Sequence, residues 1–366
     1  MFEMRNRLIA LFVCLLIALG AVFAAAQVGD RFKRLDKNGD GVLTPDELNR
    51  PKLFKRLDAN NDGRITPEEA RKALERIGQR GGRAAELPKP DQADVKYGPH
   101  ERNVFDFWKA ASDKPTPLVV FIHGGGFVGG DKSMLPPSAL KRALDAKASV
   151  ISINYRFRKD APIQDILRDA ARAIQFVRAN AAKFNIDPKR IACFGGSAGA
   201  GTSLWLAVHP DLADPNSQDE VLRQSSRISA AACLNGQATY DLIEWERLIY
   251  PFQPGWWGGP NEDIEFYHFK SRSDFQTDEG KKILSDCSMY GLLSPDDPPI
   301  FMSCSLPGGE PKDRNHILHH PKHVEVIGRK ARELGVKFES HLVGDPDDGK
   351  DAAVRAVEFL LKYLGA

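Results

Sequence analysis

The feature that most constrains the fold is a glycine-rich turn in the middle of the chain, Gly195-Gly196-Ser197-Ala198-Gly199. It follows an apolar run at residues 190–194 that is typical of a buried strand, and it precedes an alanine-rich apolar segment that reads as a helix through Leu206. Small residues on both sides of Ser197 permit a sharp strand-to-helix turn, which exposes the serine hydroxyl near a helix N-terminus. The turn therefore predicts an α/β fold with Ser197 as a candidate nucleophile.

Apolar strand-like runs alternate with helical patterns from residue 93 onward. This alternation predicts a mostly parallel sheet covered by helices on both faces. Tyr97 and residues 104–108 are expected to form an antiparallel hairpin at one edge. The expected strands are residues 118–123, 149–155, 190–194, 229–234, 299–303 and 336–343, and the expected helices include residues 165–182, 324–334 and 352–364.

A second glycine-rich stretch, HGGGF at residues 123–127, directly follows the strand predicted to end at Ile122. Successive glycines allow the backbone to turn its amide groups inward. The amides of Gly124 and Gly125, together with that of Ala198, form a candidate oxyanion hole. His123 is expected to shape this loop rather than to act as a base.

Three motifs, HGGGF at residues 123–127, SINYR at residues 152–156 and GGSAG at residues 195–199, resemble the hormone-sensitive-lipase and feruloyl-esterase-like branch of the α/β-hydrolases. The resemblance covers nearly all of residues 93–366. It implies an α/β-hydrolase fold, Ser197 as the nucleophile, and an ester or an acylated polysaccharide as the substrate. Fold analogy alone does not select one particular substrate.

The other two members of a catalytic triad are harder to locate. The acid is expected in the loop after the strand at residues 299–303, where Asp313 is the first candidate and Glu310 the second. The histidine is expected after the strand that ends near Val343, but residues 344–351 read GDPDDGKD and contain none. His341 is close, yet the two-residue period of a strand places it within the strand.

Four histidines cluster earlier, at His316, His319, His320 and His323. They could supply a surrogate base, bind a metal, or form a polar loop leading into the next helix. Without an imidazole within hydrogen-bonding distance, Ser197 is a poor nucleophile at neutral pH. Two hypotheses therefore stand: a carboxylic-ester hydrolase with an unassigned histidine, and a catalytically degenerate α/β-hydrolase that binds a ligand or partner.

Two further features of this region have alternative interpretations. Asp169, in the helix before the strand at residues 190–194, is expected to be structural. Trp256-Trp257-Gly258-Gly259 lies within a long insertion at residues 239–286, and it could line an acyl or sugar site or cover the sheet.

The N-terminal part of the chain repeats with a period of 22 residues. DKNGDGVLTPDE, beginning at Asp36, and DANNDGRITPEE, beginning at Asp58, both match the 12-residue EF-hand loop. Ca²⁺ prefers oxygen ligands, and Gly41 and Gly63 allow the sharp turn at position six of each loop. The expected ligands are Asp36, Asn38, Asp40, the carbonyl of Val42 and Glu47 in the first loop, and Asp58, Asn60, Asp62, the carbonyl of Arg64 and Glu69 in the second, with Thr44 and Thr66 at position nine.

The spacing of the two loops has a further implication. Leu43 and Ile65, at position eight of each loop, are expected to pair through a short β contact. About ten residues separate the loops, and in this respect the pair resembles dockerin-type tandem motifs. A calcium-dependent docking protein that binds a protein partner is therefore a third hypothesis.

The first 26 residues are typical of a targeting segment. Arg5 and Arg7 precede an apolar run at residues 8–23, and Ala24-Ala25-Ala26 offers a cleavage site. We expect a signal peptide at residues 1–26 and a secreted or periplasmic protein with no membrane span after cleavage, the alternative being a retained anchor. The expected domains are an EF-hand pair at residues 27–77, a linker at residues 78–92 and the α/β-hydrolase domain at residues 93–366.

The net charge and the cysteines restrict the kinds of partner and of covalent cross-link to be expected. The net charge is +2 and no long basic run is present, which argues against nucleic-acid binding. Cysteines 193, 233, 287 and 304 remain after the signal segment, and their spacing predicts buried free thiols rather than a disulfide framework. No cofactor is expected for catalysis.

Overall fold

A computed structural model describes residues 32, 35–36, 38–48, 54, 57–60, 62–70, 87–346 and 348–366. The predicted signal peptide and residues 78–86 of the predicted linker lie outside the described residues. Contacts divide the chain into two compact units, Met1–Glu86 and Leu87–Ala366. The second unit begins before residue 93 because the residues just before that position contact it. The indole N–H of Trp108, for example, donates to the carbonyl of Pro88 at 2.7 Å.

The second unit is built on one eight-stranded sheet. Its strands are β1 (Gln92–Lys96), β2 (Val104–Trp108), β3 (Thr116–Ile122), β4 (Ser149–Ile153), β5 (Ile186–Gly196), β6 (Ala231–Leu234), β7 (Ile300–Ser303) and β8 (Phe338–His341). The spatial order is β1-β2-β4-β3-β5-β6-β7-β8. Strands β3 to β8 run parallel, while β1 and β2 form the antiparallel edge. The predicted fold class is confirmed.

Helices cover both faces of the sheet. They are α1 (Pro137–Asp145), α2 (Ile163–Ala179), α3 (Ala181–Phe184), α4 (Ala198–Val208), α5 (Leu242–Leu248), α6 (Glu262–Tyr267), α7 (Asp278–Asp286), α8 (Met289–Leu292), α9 (Arg314–Leu318), α10 (Lys322–Leu334) and α11 (Ala352–Leu364), with 3₁₀ turns at Lys132–Met134, Pro254–Trp256 and Arg272–Gln276. Among the described residues, every helix is too short or too polar to cross a bilayer.

The two layers of the core follow from the alternation of side chains along each strand. In β3, Leu118, Val120 and Ile122 pack toward α2, α4 and α10. Val119 and Phe121 of the same strand pack toward α1 and α11 on the opposite face. Because both faces are buried, β3 is apolar at nearly every position. This arrangement places the carboxyl ends of β3, β5 and β7 at one edge of the sheet.

The N-terminal unit has a small core of its own, formed by Phe32, Leu43, Leu48, Phe54, Leu57, Ile65 and Ala70. Leu43 and Ile65 form an antiparallel bridge with hydrogen bonds of 2.8 and 2.9 Å. The predicted contact between the two loops is therefore present. Gly41 and Gly63 adopt φ angles of 82° and 81°, the left-handed conformation that favours glycine at this turn.

Candidate active site

Ser197 stands on the sharp turn between β5 and α4. Its φ of 53° and ψ of −118° lie in a sparsely populated region of backbone conformation. A Cβ atom at Gly195 would lie 2.4 Å from the carbonyl oxygen of Ile122, and one at Gly199 would lie 1.9 Å from the same oxygen. The glycines are therefore required because β3 approaches the turn this closely.

The HGGGF loop passes directly beside the serine. A Cβ atom at Gly124 would lie 2.7 Å from the carbonyl oxygen of Gly196 and 3.4 Å from the Cβ of Ser197. Gly125 has a φ of +113°, and a Cβ there would lie 2.2 Å from the carbonyl oxygen of Gly129. Ala198 is the first residue of α4, so its amide has no partner within the helix. The backbone segments that carry the three candidate oxyanion donors thus meet at Ser197.

His319 supplies the imidazole that the sequence left unassigned. Its Nε2 lies 2.8 Å from Oγ of Ser197. Its Nδ1 lies 3.1 Å from the backbone carbonyl of Asn315, which can only accept, so Nδ1 carries the proton and Nε2 is free to accept the serine hydroxyl. Burial lowers the pKa of His319 below its usual value, which keeps the ring neutral at pH 7. A neutral imidazole in this tautomer can act as a general base.

Contacts from two neighbouring segments hold the backbone near His319. The thiol of Cys304, just after β7, donates to the carbonyl of His319 at 3.0 Å. The side-chain amide of Gln237, which lies after β6, donates to the carbonyl of Leu318 at 2.8 Å. The histidine is therefore presented by the short helix α9 after β7, and not by the loop after β8.

The structure gives Asp313 a different role from the predicted triad acid. Asp313 is the N-cap of α9, and its carboxylate accepts from the amide of His316 at 2.8 Å. His319 is the C-cap of the same five-residue helix, so the two residues occupy opposite ends of α9. Glu310, the second candidate, is exposed. A histidine–carboxylate pair does occur among the described residues, but it joins His209 to Asp286, with Nε2 of the histidine 2.8 Å from the carboxylate.

The other three histidines of the cluster have structural roles. In each of them Nδ1 accepts from a backbone amide and Nε2 donates to a backbone carbonyl, so neither ring nitrogen is free to bind a metal. The amide and carbonyl partners are Lys312 and Pro307 for His316, Lys322 and Gly309 for His320, and Ala238 and Ile317 for His323. Burial lowers the pKa of His323 to about 3.

The structure also places His341, His123 and Asp169. His341 is the last residue of β8, paired with Ser303 of β7, so it lies at the end of the strand and not, as was expected, within a strand that continues to Val343. His123 stacks on the ring of Tyr155 at 4.2 Å, and burial lowers its pKa to about 4. The carboxylate of Asp169 accepts two bonds of 2.8 Å from the guanidinium of Arg156. The expectations for His123 and Asp169 agree with these contacts.

A largely apolar pocket, open to solvent, lies at Ser197. Much of its wall comes from the insertion at residues 239–286, including Trp257, which therefore lines the site as well as stacking on Phe252 at 4.3 Å. The lining residues are Gly126, Phe127, Arg158, Ser197, Ala198, Gln237, Tyr240, Leu242, Trp245, Phe252, Trp257, Glu262, Phe266, Arg314 and Leu318.

The first and last ligand positions of each EF-hand loop face the loop backbone. Asp36 accepts from the amide of Gly41 at 3.0 Å, and Glu47 accepts from the amide of Thr44 at 3.0 Å. The second loop repeats this pattern, with Asp58 accepting from Gly63 at 3.0 Å and Glu69 from Thr66 at 2.9 Å. No three acidic or histidine side chains of the described residues converge as a preformed metal shell. The donors are nevertheless all oxygens, which fits Ca²⁺.

The parallel sheet, the strained serine turn, the adjacent glycine loop and the Ser197–His319 contact define an α/β-hydrolase. Residues 106–301 match the BD-FAE family, and the chain belongs to that family of hormone-sensitive-lipase and feruloyl-esterase-like α/β-hydrolases. Residues 28–50 and 52–72 match the EF hand.

Similar proteins of known name include esterases. The chain is 36% identical over 101 residues to carboxylesterase NlhH of Mycobacterium tuberculosis, covering 28% of this chain and 32% of that protein. It is 27% identical over 214 residues to esterase LipQ of the same organism, covering 57% and 47%. The chain thus spans from about a third to about half of the length of these relatives.

Solved structures show the same fold at low sequence identity. A truncated carbohydrate esterase from gut microbiota superimposes with a TM-score of 0.61 at 19% identity, covering 77% of this chain and 99% of that one. Esterase Est2 of Thermogutta terrifontis superimposes with a TM-score of 0.55 at 20% identity, covering 77% and 96%.

Proposed function

We propose that this protein is a carboxylic-ester hydrolase in which Ser197 is the nucleophile and His319 is the general base. The observation that carries the proposal is the 2.8 Å contact between Oγ of Ser197 and Nε2 of His319. That contact joins the two groups with Nε2 free to accept the serine hydroxyl, beside a largely apolar pocket that is open to solvent. The named esterases among the similar proteins agree with this reaction class.

The reaction proceeds through an acyl-enzyme. Oγ of Ser197 attacks the ester carbonyl while its proton moves to Nε2 of His319. The amides of Gly124, Gly125 and Ala198 stabilise the oxyanion, and one such donor contributes about 3 kcal/mol to lowering the barrier. The imidazolium then gives its proton to the departing alcohol. Water then attacks the acyl-enzyme carbonyl while His319 takes its proton, and the imidazolium returns that proton to Oγ of Ser197 as the bond between Oγ and the acyl carbon breaks.

The backbone carbonyl of Asn315 takes the place of a triad carboxylate. It holds His319 in the correct tautomer at 3.1 Å, so the geometric function of the acid is kept. A neutral carbonyl stabilises the positive imidazolium less than a carboxylate does. We therefore expect a slower hydrolase than one with a full triad, and one that works best on esters with good leaving groups.

The direct test is hydrolysis of 4-nitrophenyl acetate by the full-length protein and by Ser197→Ala. Wild type should release 4-nitrophenolate well above the uncatalysed rate, and the variant should lose ~10³-fold or more of kcat. Equal rates for the two proteins would contradict the proposal.

A second candidate function is that of a catalytically degenerate binding protein. The observation that favours it is the carbonyl, instead of a carboxylate, at Nδ1 of His319. It predicts that ligands bind in the pocket with no turnover of activated esters by wild type. The 4-nitrophenyl acetate assay separates the two functions.

For the N-terminal unit we propose that each EF-hand loop binds one Ca²⁺ ion. Two complete oxygen-donor sets and the Leu43–Ile65 bridge support this. Isothermal titration of the full-length protein should give two ions per chain, and Glu47→Gln combined with Glu69→Gln should abolish binding, since both closing carboxylates are removed. Calcium-dependent capture of a protein partner would support a docking role for this unit.

We also propose export and an acylated saccharide as the substrate class. Export is supported by the residue pattern of positions 1–26, and N-terminal sequencing of the protein recovered outside the cytoplasm should begin near Gln27. The substrate class is supported by the family resemblance, and release of acetate from acetylated xylan would test it.

A further inference from the structure

The pocket beside Ser197 carries an excess of positive charge. Three of its described lining residues are charged, namely Arg158, Glu262 and Arg314. At neutral pH the two guanidinium groups and one carboxylate sum to a single positive charge. The rest of the wall includes Phe127 and Phe266, so this charge faces a site of low polarity.

Glu262 accepts hydrogen bonds from both arginines and from one backbone amide. Arg314 binds it with two parallel hydrogen bonds of 2.6 and 2.7 Å, and the amide of Gly258 donates to it at 2.6 Å. These contacts outweigh the effect of burial and lower its pKa, so the carboxylate stays ionised. Arg314 also donates to the carbonyl of Trp256 at 2.7 Å. The Arg314–Glu262 pair is therefore neutral, and Arg158 carries the net positive charge of the pocket.

Arg158 carries the positive charge that the Arg314–Glu262 pair does not neutralise. Its guanidinium reaches Glu262 through Nη1 alone, at 3.1 Å. Its Nε is buried and has no partner among the described residues. A ligand in the pocket cannot reach this Nε, but Nη2 is not buried and makes no hydrogen bond among the described residues, so Nη2 is the donor available to a pocket ligand. The backbone amide of Arg158 donates to the carbonyl of Phe127 at 2.7 Å, which ties it to the HGGGF loop.

We propose that Arg158 binds a carboxylate carried by the ester substrate, so that the enzyme prefers monoanionic esters to neutral ones. The inference rests on the proposed hydrolase function. One excess positive charge matches one carboxylate, whereas a phosphate monoester would bring nearly two negative charges. A guanidinium with free donors is the side chain best suited to bind a carboxylate, and the apolar walls strengthen the attraction.

The first test measures binding without turnover. In the Ser197→Ala background, the fluorescence of Trp245 and Trp257 in the pocket wall reports titration with monomethyl succinate, and dimethyl succinate serves as the neutral control. The monoanion should bind ~10-fold or more tightly than the diester, because a hydrogen bond to a charged group is worth that much. Arg158→Gln should remove the difference, and Arg158→Lys should restore part of it. Equal affinities in the Ser197→Ala protein would overturn the proposal.

The second test measures selectivity in turnover. The ratio of kcat/KM for mono-4-nitrophenyl succinate to that for 4-nitrophenyl butyrate should fall ~10- to 100-fold in Arg158→Gln. The matched control is Arg272→Gln, which removes a positive charge from a surface pair with Asp263 outside the pocket and should leave the ratio unchanged. Acetoxyacetate carries its carboxylate in the alcohol half of the ester, and methyl acetoxyacetate is its neutral counterpart. Comparing this pair with the succinate esters shows whether Arg158 contacts the alcohol half or the acyl half.

The outcomes distinguish failure of the anion site from failure of the proposed hydrolase function. Turnover of both succinate and butyrate esters with no effect of Arg158→Gln on their ratio would leave the hydrolase in place and refute the anion site. Selective binding of monomethyl succinate without any turnover by wild type would refute the hydrolase and retain the anion site. Circular dichroism and the melting temperature of each variant check that it is folded.

Discussion

His319 and Ser197 share a hydrogen bond of 2.8 Å although 122 positions separate them in the sequence. The imidazole reaches the serine from α9, the short helix after β7, while the loop after β8 contains no histidine. A backbone carbonyl orients the ring, and the aspartate at the start of the same helix caps the helix. The serine turn and glycine loop of an α/β-hydrolase are thus combined with an imidazole from the segment after β7.

Asp313→Ala should affect stability more than catalysis. Removing an N-cap carboxylate is expected to lower the free energy of unfolding by about 0.5–2 kcal/mol. Because the carboxylate contacts the amide of His316, kcat/KM for 4-nitrophenyl acetate should fall by less than ~10-fold, whereas removing the tautomer-holding acid of a triad lowers kcat ~10⁴-fold. Glu310→Ala, at an exposed position of the same loop, is the control. A loss of activity near ~10⁴-fold in a folded Asp313→Ala protein would show that Asp313 is the catalytic acid.

The pH profile should report the state of His319. A general base works when it is deprotonated, so kcat/KM rises as pH increases through the pKa of the ring. Burial lowers that pKa below its usual value of about 6.5, which moves the acidic limb to lower pH and leaves the rate flat near neutrality. A profile of kcat/KM for 4-nitrophenyl acetate measures this limb. A limb centred above the ordinary histidine value would contradict the burial of His319.

Cys304 should act as a positioning residue through its hydrogen bond to the carbonyl of His319. Cys304→Ala removes the donor and should lower kcat by ~2- to 10-fold, the usual worth of one neutral hydrogen bond. Cys304→Ser keeps a donor and should recover most of the loss, with KM nearly constant in both variants. Equal impairment of the alanine and serine variants would show that packing, and not the hydrogen bond, is what matters.

The sequence was sufficient where a function is encoded by neighbouring residues. The turn around Ser197 and the loop containing Gly124 were predictable because close backbone approach demands small residues in one contiguous stretch. The Leu43–Ile65 bridge was predictable for a similar reason, since loop position eight is fixed by the repeat. In each case the local pattern determines the local geometry.

The sequence was insufficient where distant segments meet. Four histidines lie within eight consecutive residues, and the turn from α9 into α10 determines that His319, and not His316, His320 or His323, reaches Ser197. Asp313 was a reasonable candidate by order along the chain, but a carboxylate just before a short helix also satisfies its free amides. The pairing of Glu262 with Arg314 joins the first residues of α6 and α9, 52 positions apart, and nothing in either local sequence indicates it.

The most direct test of the central claim is the rate of Ser197 labelling by a fluorophosphonate probe in wild type, His319→Gln and His341→Gln. If His319 activates Ser197, His319→Gln should slow labelling ~10²- to 10⁴-fold, the usual contribution of a general base. His341→Gln, which alters the histidine at the end of β8, should label at the wild-type rate. Wild-type labelling by His319→Gln, or loss of labelling in His341→Gln, would contradict the account.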